Sequence, residues 1–530
     1  MIILDDSEEH HHSSKLSDDA HSVVRSSTPT PSLPSYESSQ ALQAPRRSLE
    51  EEEEQSPESQ PQRPTRTWWP KRTNARFRRA ILYALVIYFF LTVSVGVPVI
   101  VTRLRHHGTD HQDYPFPTIS GSSSLIAVGN TAPLLVSSAV GCNGWSEESK
   151  TESTLQYVVP LDGLVFLHSN VTYTSNGTTT PGITGSLIVG VNSDPNAIDA
   201  IVSVTMRYSD QALRNRTSVC LMNVSNSNGL YLYVPSNLTS NDTLVFNMTF
   251  LFPQVPSLQI SEFMTMLPHF DQYFTDLSPY VVFDKVSLGG PRSRVEVGNM
   301  EATTLAVKTA LAAIEGSFNV SDSLVLETVS APINVNISLY NAGQYREPTF
   351  LDVSTGNAAL NASVSLYLPP SAPKTSSMPN FMTRFQTFNA PLAVAVSHMQ
   401  GSAASALQLR GENSVGEALV VVDSKYSGTF DVSTTFADAD VLTSNVDDMD
   451  ELAQFDLNMY NAASTTASAG AGTTSERTID FDNIETSSLS GWVGTGTRPP
   501  TPPPPQKYFD GQGHVEVIST LSPVALLLGP

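Results

Sequence analysis

Two cysteines in 530 residues, Cys142 and Cys220, are too few for a cysteine-built zinc cage or a disulfide-dense miniature fold. They leave room for one disulfide in an oxidising compartment, or for two separate buried thiols. No H-E-x-x-H, G-x-S-x-G, G-x-G-x-x-G or Walker A sequence occurs, so four common catalytic and nucleotide-binding chemistries have no motif here. The histidines of the presumed folded region, His168, His269, His398 and His514, do not fall at metal-ligand spacing, and His10, His11 and His12 sit in a polar tail. Basic residues are also scarce. Lys and Arg number 29 against 51 Asp and Glu, for a net charge of -22. Phosphate recognition needs clustered cations, so nucleic acid is not an expected partner. No cofactor is expected.

Residues 80–101, AILYALVIYFFLTVSVGVPVIV, form an apolar run with no charge in 22 positions. As a helix it would span roughly 33 Å, enough for a bilayer core of about 30 Å. Residues 1–58 before it carry 13 acidic and 4 basic side chains and read as a disordered acidic tail. Residues 59–79 carry seven basic side chains and no acidic one, a basic juxtamembrane segment. The positive-inside rule then predicts a type II signal anchor, with a cytoplasmic N-terminus and an extracellular or lumenal C-terminal region. The lipid bilayer is the expected partner of the span. Asn-x-Ser/Thr sequons lie only after it, at Asn170, Asn176, Asn215, Asn223, Asn237, Asn241, Asn247, Asn319, Asn336 and Asn361. Glycan acceptors must be lumenal or extracellular, which agrees with that orientation.

A polar stalk is expected at 102–124. From 125 short runs rich in Val, Leu, Ile, Tyr and Phe alternate with Asn, Gly, Ser, Asp and Pro: 125–128, 134–136, 155–159, 164–168, 186–191, 201–208, 230–234 and 244–251. They predict a glycosylated β-sandwich-like module over 125–260. A disulfide between Cys142 and Cys220 would close a loop within it. Residues 261–281 read as a connector of mixed spacing.

A repeat fills the second half, over 282–437 and again at 479–530. Val286, Leu305 and Leu324 recur at a 19-residue step, each followed nine residues later by an apolar partner: Val295, Ile314 and Ile333. The nine-residue step returns at Leu351/Leu360, Val421/Phe430 and Val515/Val524, and more weakly at Thr383/Leu392. Position four after the start is Thr309, Thr328, Thr355, Thr387 or Ser519 in five of the seven copies, and position seven is always small. Pro332, Pro391 and Pro523 stand at position eight. A further degenerate copy ends near Trp492. Each copy reads as strand, small-residue turn, strand, and copies must stack to bury their apolar face. The fold class is therefore mainly β: one transmembrane helix, a β-sandwich-like module, and a β-solenoid or stacked β-roll. The acidic tract 438–478 and the proline run 499–505 read as insertions between rungs. Asp438, Asp440, Asp447, Asp448, Asp450 and Glu451 lack the spacing of an EF-hand, so no metal site is assigned to them.

With positions 9, 11 and 13 facing inward, Asn361 at position 10 and Asn336 at position 12 face solvent. Position 10 also holds Glu296, Glu315, Asn334, Ala393 and Asp431. Glu296 and Glu315, one rung apart, are the candidate pair for acid/base work on a glycoside.

The apolar anchor, the strand region from Tyr208 to Cys220, and rungs such as Leu324-Val-Leu-Glu-Thr-Val-Ser-Ala-Pro-Ile resemble a family of uncharacterised fungal single-pass membrane proteins. Their repeat half is similar to bacterial adhesin-like β-solenoid domains. The resemblance implies no activity and supplies no site residues. The expected function is a non-enzymatic, membrane-anchored surface or wall glycoprotein with adhesion-like binding. Its expected partner is a wall polysaccharide or a surface protein. The alternative is a carbohydrate-active enzyme using solenoid-face carboxylates.

Overall fold

The computed structural model describes residues 139–171, 182–224, 226–235, 238–342, 347–372, 378–443, 477–500 and 512–529. The tail, basic segment, apolar run and stalk expected before residue 125 lie outside them, as do the sequons Asn176 and Asn237. The expected transmembrane helix is corrected. No helix among the described residues is long and apolar enough to cross a membrane. The only helix there, α1 (Gln211–Arg216), has 6 residues. Hydropathy, length and flanking charge supported the span, and 80–101 lies outside the described residues. The membrane-anchored localisation is corrected with it.

The described chain is a stack of two-stranded rungs. In each rung one strand joins a first sheet, a short turn follows, and the next strand joins a second sheet. Strands β12 (Val281–Gly289), β16 (Thr349–Thr355), β18 (Phe381–Thr387) and β20 (Leu407–Asn413) belong to the first sheet. Strands β15 (Ile333–Tyr340), β17 (Leu360–Tyr367), β19 (Leu392–His398) and β21 (Ala418–Val422) belong to the second. The long strands β13 (Val295–Lys308) and β14 (Ile314–Thr328) bend and serve both sheets.

Register follows the repeat. Val286, Leu305, Leu324, Leu351 and Thr383 are successive parallel partners. Val295, Ile314, Ile333, Leu360 and Leu392 form the matching column of the second sheet. All five of that column are buried. One copy was out of register. Val421 lies in the second sheet and Phe430 in the first, and the true copies are Leu409/Ala418 and Phe430/Ala439. Their second anchor is alanine, too small to stand out in a hydropathy pattern.

Buried turn groups explain the recurring spacing of the small and hydroxyl residues. At position nine the N–H of Ile314 donates to Pro332 O at 3.2 Å, that of Leu360 to Pro391 O at 3.0 Å, and that of Ala418 to Pro523 O at 3.2 Å. Each position-eight carbonyl thus receives the neighbouring rung, and proline there loses only an N–H the ladder does not use. At position four Thr355 Oγ1 donates to Ala331 O at 3.1 Å and Thr387 Oγ1 to Ala358 O at 3.2 Å. Asn413 Nδ2 donates to Ala390 O at 2.8 Å and Thr434 Oγ1 to Ser522 O at 3.3 Å. In these four rungs the acceptor is position seven of the adjacent rung, where a small residue lets the donor approach; Thr309 Oγ1 instead donates within its own rung, to Ala312 O at 2.6 Å, and Thr328 Oγ1 donates to Ala310 O at 3.4 Å.

The sandwich expected at 125–260 is also corrected. Strands β4 (Leu164–Ser169), β5 (Gly182–Val191), β8 (Ser227–Tyr233) and β9 (Thr243–Phe252) are rungs of the same stack, paired in parallel. In this part of the chain antiparallel pairing is confined to the strands at the outer end and their junction with the rungs. The outer strands are β1 (Ala139–Cys142) with β7 (Ser218–Val224), and β2 (Trp145–Glu148) with β3 (Glu152–Val159) and β6 (Ala200–Tyr208). They cap the open end, as a stack of rungs requires. Cys142 and Cys220 are partners in the β1–β7 pair and form a disulfide with a sequence separation of 78. The disulfide points to an oxidising, extracellular or secreted setting.

The 261–281 connector is a rung as well, β10 (Leu258–Met266) and β11 (Phe270–Asp276). Its anchors are Phe263 and Gln272, which continue the two columns. Phe263 meets Phe274 of the opposite sheet edge-on at 6.3 Å, so aromatic packing closes the core between the sheets.

At the far end, β24 (Arg477–Glu485) and β25 (Ser488–Thr495) form an antiparallel hairpin on β22 (Gly428–Ser433), in place of the degenerate copy near Trp492. The last strands do not simply close the stack. Strand β26 (Gly513–Ile518) inserts between β20 and β22, and β27 (Val524–Leu528) between β21 and β23 (Ala439–Thr443). Both faces of β27 are buried, which accounts for its unbroken VALLL sequence.

The position-four ladder makes a stability prediction. Thr355→Val keeps the volume and removes the donor to Ala331 O, and is expected to cost about 1–3 kcal/mol in urea unfolding. Thr303→Val, at an exposed position of β13, is expected to change stability by less than about 0.5 kcal/mol.

Candidate functional site on the outer face of the second sheet

The two outer faces carry different chemistry. On the first sheet cross-rung ion pairs predominate: Lys285–Glu262 at 2.9 Å, Lys308–Glu327 at 2.8 Å, Arg384–Glu412 at 3.3 Å and Arg410–Glu516 at 3.0 Å. In the middle of the second sheet the outward positions are uncharged. Asn334, Asn336, Ser338 and Tyr340 on β15 pair in register with Asn361, Ser363, Ser365 and Tyr367 on β17. Tyr340 and Tyr367 have ring centroids 5.7 Å apart.

A groove of about 410 Å³ opens on this face, lined by Tyr273, Glu296, Glu315, Ser317, Asn334 and Asn336 among others. Its floor is backbone at Gly298 and Gly316. A Cβ at Gly298 would stand 3.0 Å from the Asp276 nitrogen. Gly316 has φ +132° and a Cβ there would strike Val297 O at 2.0 Å, so only glycine fits the bulged crossing of β13 and β14. Glu296 and Glu315 are adjacent partners, as the repeat predicts. Arg294 joins them, 2.6 Å from Glu315 and 3.3 Å from Glu296. The hydrogen bond and charge of Glu315 raise the affinity of that guanidinium for its proton.

The predicted position-10 column holds from Glu296 through Glu315, Asn334, Asn361 and Ala393, then continues to Leu419. Asp431 is not in it; it pairs with Glu516 in the first sheet. Tyr273 precedes Glu296 in the column, with Ile188 beyond it, and was missed because its rung is anchored by the buried polar Gln272 rather than an apolar residue. Gln272 is satisfied there by Thr265 Oγ1 at 2.6 Å and Gly289 O at 3.2 Å. Of the sequons, Asn247, Asn319, Asn336 and Asn361 lie on second-sheet strands. Asn170 Nδ2 donates to Val234 O at 2.9 Å while its Oδ1 accepts from Val234 N at 2.7 Å, so that amide is built into the fold.

No group of three or more His, Cys, Asp or Glu positioned to hold a metal occurs among the described residues. One cluster outside the groove has the order of a nucleophilic triad. His398 Nδ1 lies 2.9 Å from Asp423 Oδ1, and His398 Nε2 lies 2.9 Å from Ser405 Oγ. No spacing rule in the sequence joins these three residues. The His398 side chain is 1% exposed and Ser405 is 7% exposed. The N–H after the serine, at Ala406, is spent on Asn380 Oδ1 at 3.0 Å. An acyl-transfer site needs free donors aimed at the oxyanion and room for a substrate. The cluster instead staples the turns that follow β19 and β21, with the His398 N–H also held by Asp423 Oδ2 at 2.7 Å. Burial works to raise the Asp423 carboxyl, but the hydrogen bonds and charge of His398 outweigh it and hold the group below the usual range. A depressed carboxylate adds stability above its unfolded value of about 3.9 and loses it as pH falls. His398→Ala is expected to cost about 3 kcal/mol at neutral pH, because it removes the side-chain partner of a buried carboxylate, leaving it the backbone N–H of residue 398, and leaves a buried hydroxyl unpaired. The difference from wild type is expected to shrink as unfolding is measured progressively below about pH 4.

No family model and no curated protein matches this chain. Among solved structures it is similar to a candidate cell adhesion protein from Clostridium sporogenes, at 9% identity over 72% of this chain and 100% of that one, with a TM-score of 0.14. It is also similar to a candidate adhesin from Parabacteroides merdae, at 10% identity over 51% of this chain and 93% of that one, with a TM-score of 0.19. The structural neighbours are thus bacterial and weakly similar, and nothing among them points to a fungal membrane family. Likeness at this level carries nothing into the functional reading.

Proposed function

We propose that the chain is a non-enzymatic extracellular binding protein with adhesion-like function, whose second-sheet outer face holds a surface or matrix polysaccharide. The observation that carries this reading is the groove, where Tyr273 faces carboxylates and amides on backbone-floored ground. An aromatic ring offers a flat apolar surface to the C–H face of a sugar. Carboxylates and amides on neighbouring rungs offer hydrogen bonds to its hydroxyls. The strand spacing of about 4.8 Å repeats these groups along one line, which suits an extended polymer. The net charge of -22 disfavours an anionic polysaccharide and favours a neutral or amine-bearing one.

A second reading keeps the same groove and makes Glu296 and Glu315 an acid/base pair. It is favoured by their placement on adjacent rungs of one recess. Turnover of a bound polysaccharide that is lost in both Glu296→Gln and Glu315→Gln would select it.

The test is binding of the full chain to a panel of polysaccharides. The chain is made in a bacterial periplasm so that the disulfide forms and N-glycans are absent. Tyr273→Ala and Glu315→Gln are expected to weaken binding about tenfold or more, and Glu327→Gln on the first sheet to leave it unchanged. Binding to no polysaccharide, or equal binding by all variants, would contradict the proposal.

A further inference from the structure

Asn336 is at once an acceptor sequon, Asn336-Ile337-Ser338, an exposed outward residue of β15, and part of the groove lining. We infer that N-glycosylation of Asn336 closes the groove, so that this one modification decides whether the site is open. The inference rests on the polysaccharide-binding reading for its consequence, but not for its geometry.

The chemistry fixes where the glycan starts. Asn336 Nδ2 bonds to C1 of the first N-acetylglucosamine as the C1–O bond to a polyprenyl diphosphate breaks. The diphosphate leaves and the amide proton is released. The first sugar is therefore rooted in the lining, beside Ser317 and Ser363, its cross-rung partners. A single sugar ring and its shell fill a recess of about 410 Å³ to a large extent, and the tethered sugar is present at high effective concentration. The aromatic and amide groups that would hold an external polysaccharide are the same groups that would hold this one.

Two neighbouring sequons give the contrast. Asn361 lies one rung further along the column, and the groove lining does not include it. Asn319 is half-buried and its Nδ2 donates to Asn299 Oδ1 at 3.1 Å. Asn336 makes no such commitment and is the exposed acceptor inside the recess. Acceptors are modified during translocation, before strands pair. Occupancy would then divide molecules into open and self-filled forms that do not interconvert after folding.

The experiment compares the full chain secreted from a eukaryotic host with Ser338→Ala, which keeps Asn336 but destroys the sequon. Ser338→Thr keeps the sequon and is the control for the substitution itself. Ser363→Ala removes the Asn361 sequon. Glycopeptide mass spectrometry reads occupancy, and hydroxyl-radical footprinting reads access to Tyr273. Wild type and Ser338→Thr are expected to carry a glycan on Asn336 and to protect Tyr273. Ser338→Ala is expected to expose it and to bind polysaccharide about tenfold or more tightly than wild type. Ser363→Ala is expected to leave Asn336 occupancy and Tyr273 protection as in wild type. An unmodified Asn336 in wild type, or equal Tyr273 labelling with and without the glycan, would overturn the inference. If labelling changes as expected but neither form binds any polysaccharide, the binding reading fails and the closure of the groove stands.

Discussion

The fold depends on one registration: the position-nine N–H of each rung finds the position-eight carbonyl of the next, and in four rungs a position-four side chain finds the neighbour's position-seven carbonyl. These contacts sit at the turns, where a stack of rungs has the most backbone polar groups to satisfy and the least regular structure to do it. Unpaired, each buried carbonyl would cost about 1–3 kcal/mol. Paired, they lock one rung over the next without a residue of slip, and a slip of one would turn the whole apolar set outward. The small residue at position seven and the proline at position eight are consequences of the same contact.

Fixed registration makes the outer surface a set of columns. A residue type placed once is repeated at rung spacing if the sequence repeats it. On the first sheet this yields ion pairs across rungs, a solvated face whose individual pairs are exposed and contribute little to stability. On the second sheet it yields amides, hydroxyls and two tyrosines, with a recess where Gly298 and Gly316 replace side chains. Function is read from that site and not from the solenoid, since a fold of this kind hosts many roles.

The sequence was most legible where anchors are large and apolar. Leu324 and Ile333 announced their rung, and the columns they head run as the nine-residue step predicted. It was illegible where the same position is filled by Gln272, Ala418 or Ala439, because their burial comes from hydrogen bonding or tight packing rather than hydropathy. Residues 125–260 were misread for a related reason. Alternating strands look alike whether the next strand pairs antiparallel or crosses to the opposite sheet, and parallel pairing leaves no local signature. The insertion of β26 and β27 into the interior of the sheets had one visible trace, the unbroken apolar run at Val524–Leu528. Of the site, Glu296, Glu315 and Asn336 were placed correctly on the outer face. Tyr273 was lost with its rung, and the staple of His398, Asp423 and Ser405 unites residues that no spacing rule connects.

A single site on the second sheet can be tested without assuming its ligand's strength. The most direct measurement is a crystal structure of the chain, made without N-glycans, with an oligosaccharide drawn from whichever polysaccharide it retains. The account predicts a sugar ring against Tyr273 with hydroxyls on Glu315 and Asn334, and the remaining sugars following the strand-to-strand line toward Asn361. An oligosaccharide seated on the ion-paired face of the first sheet, with the groove empty, would contradict it.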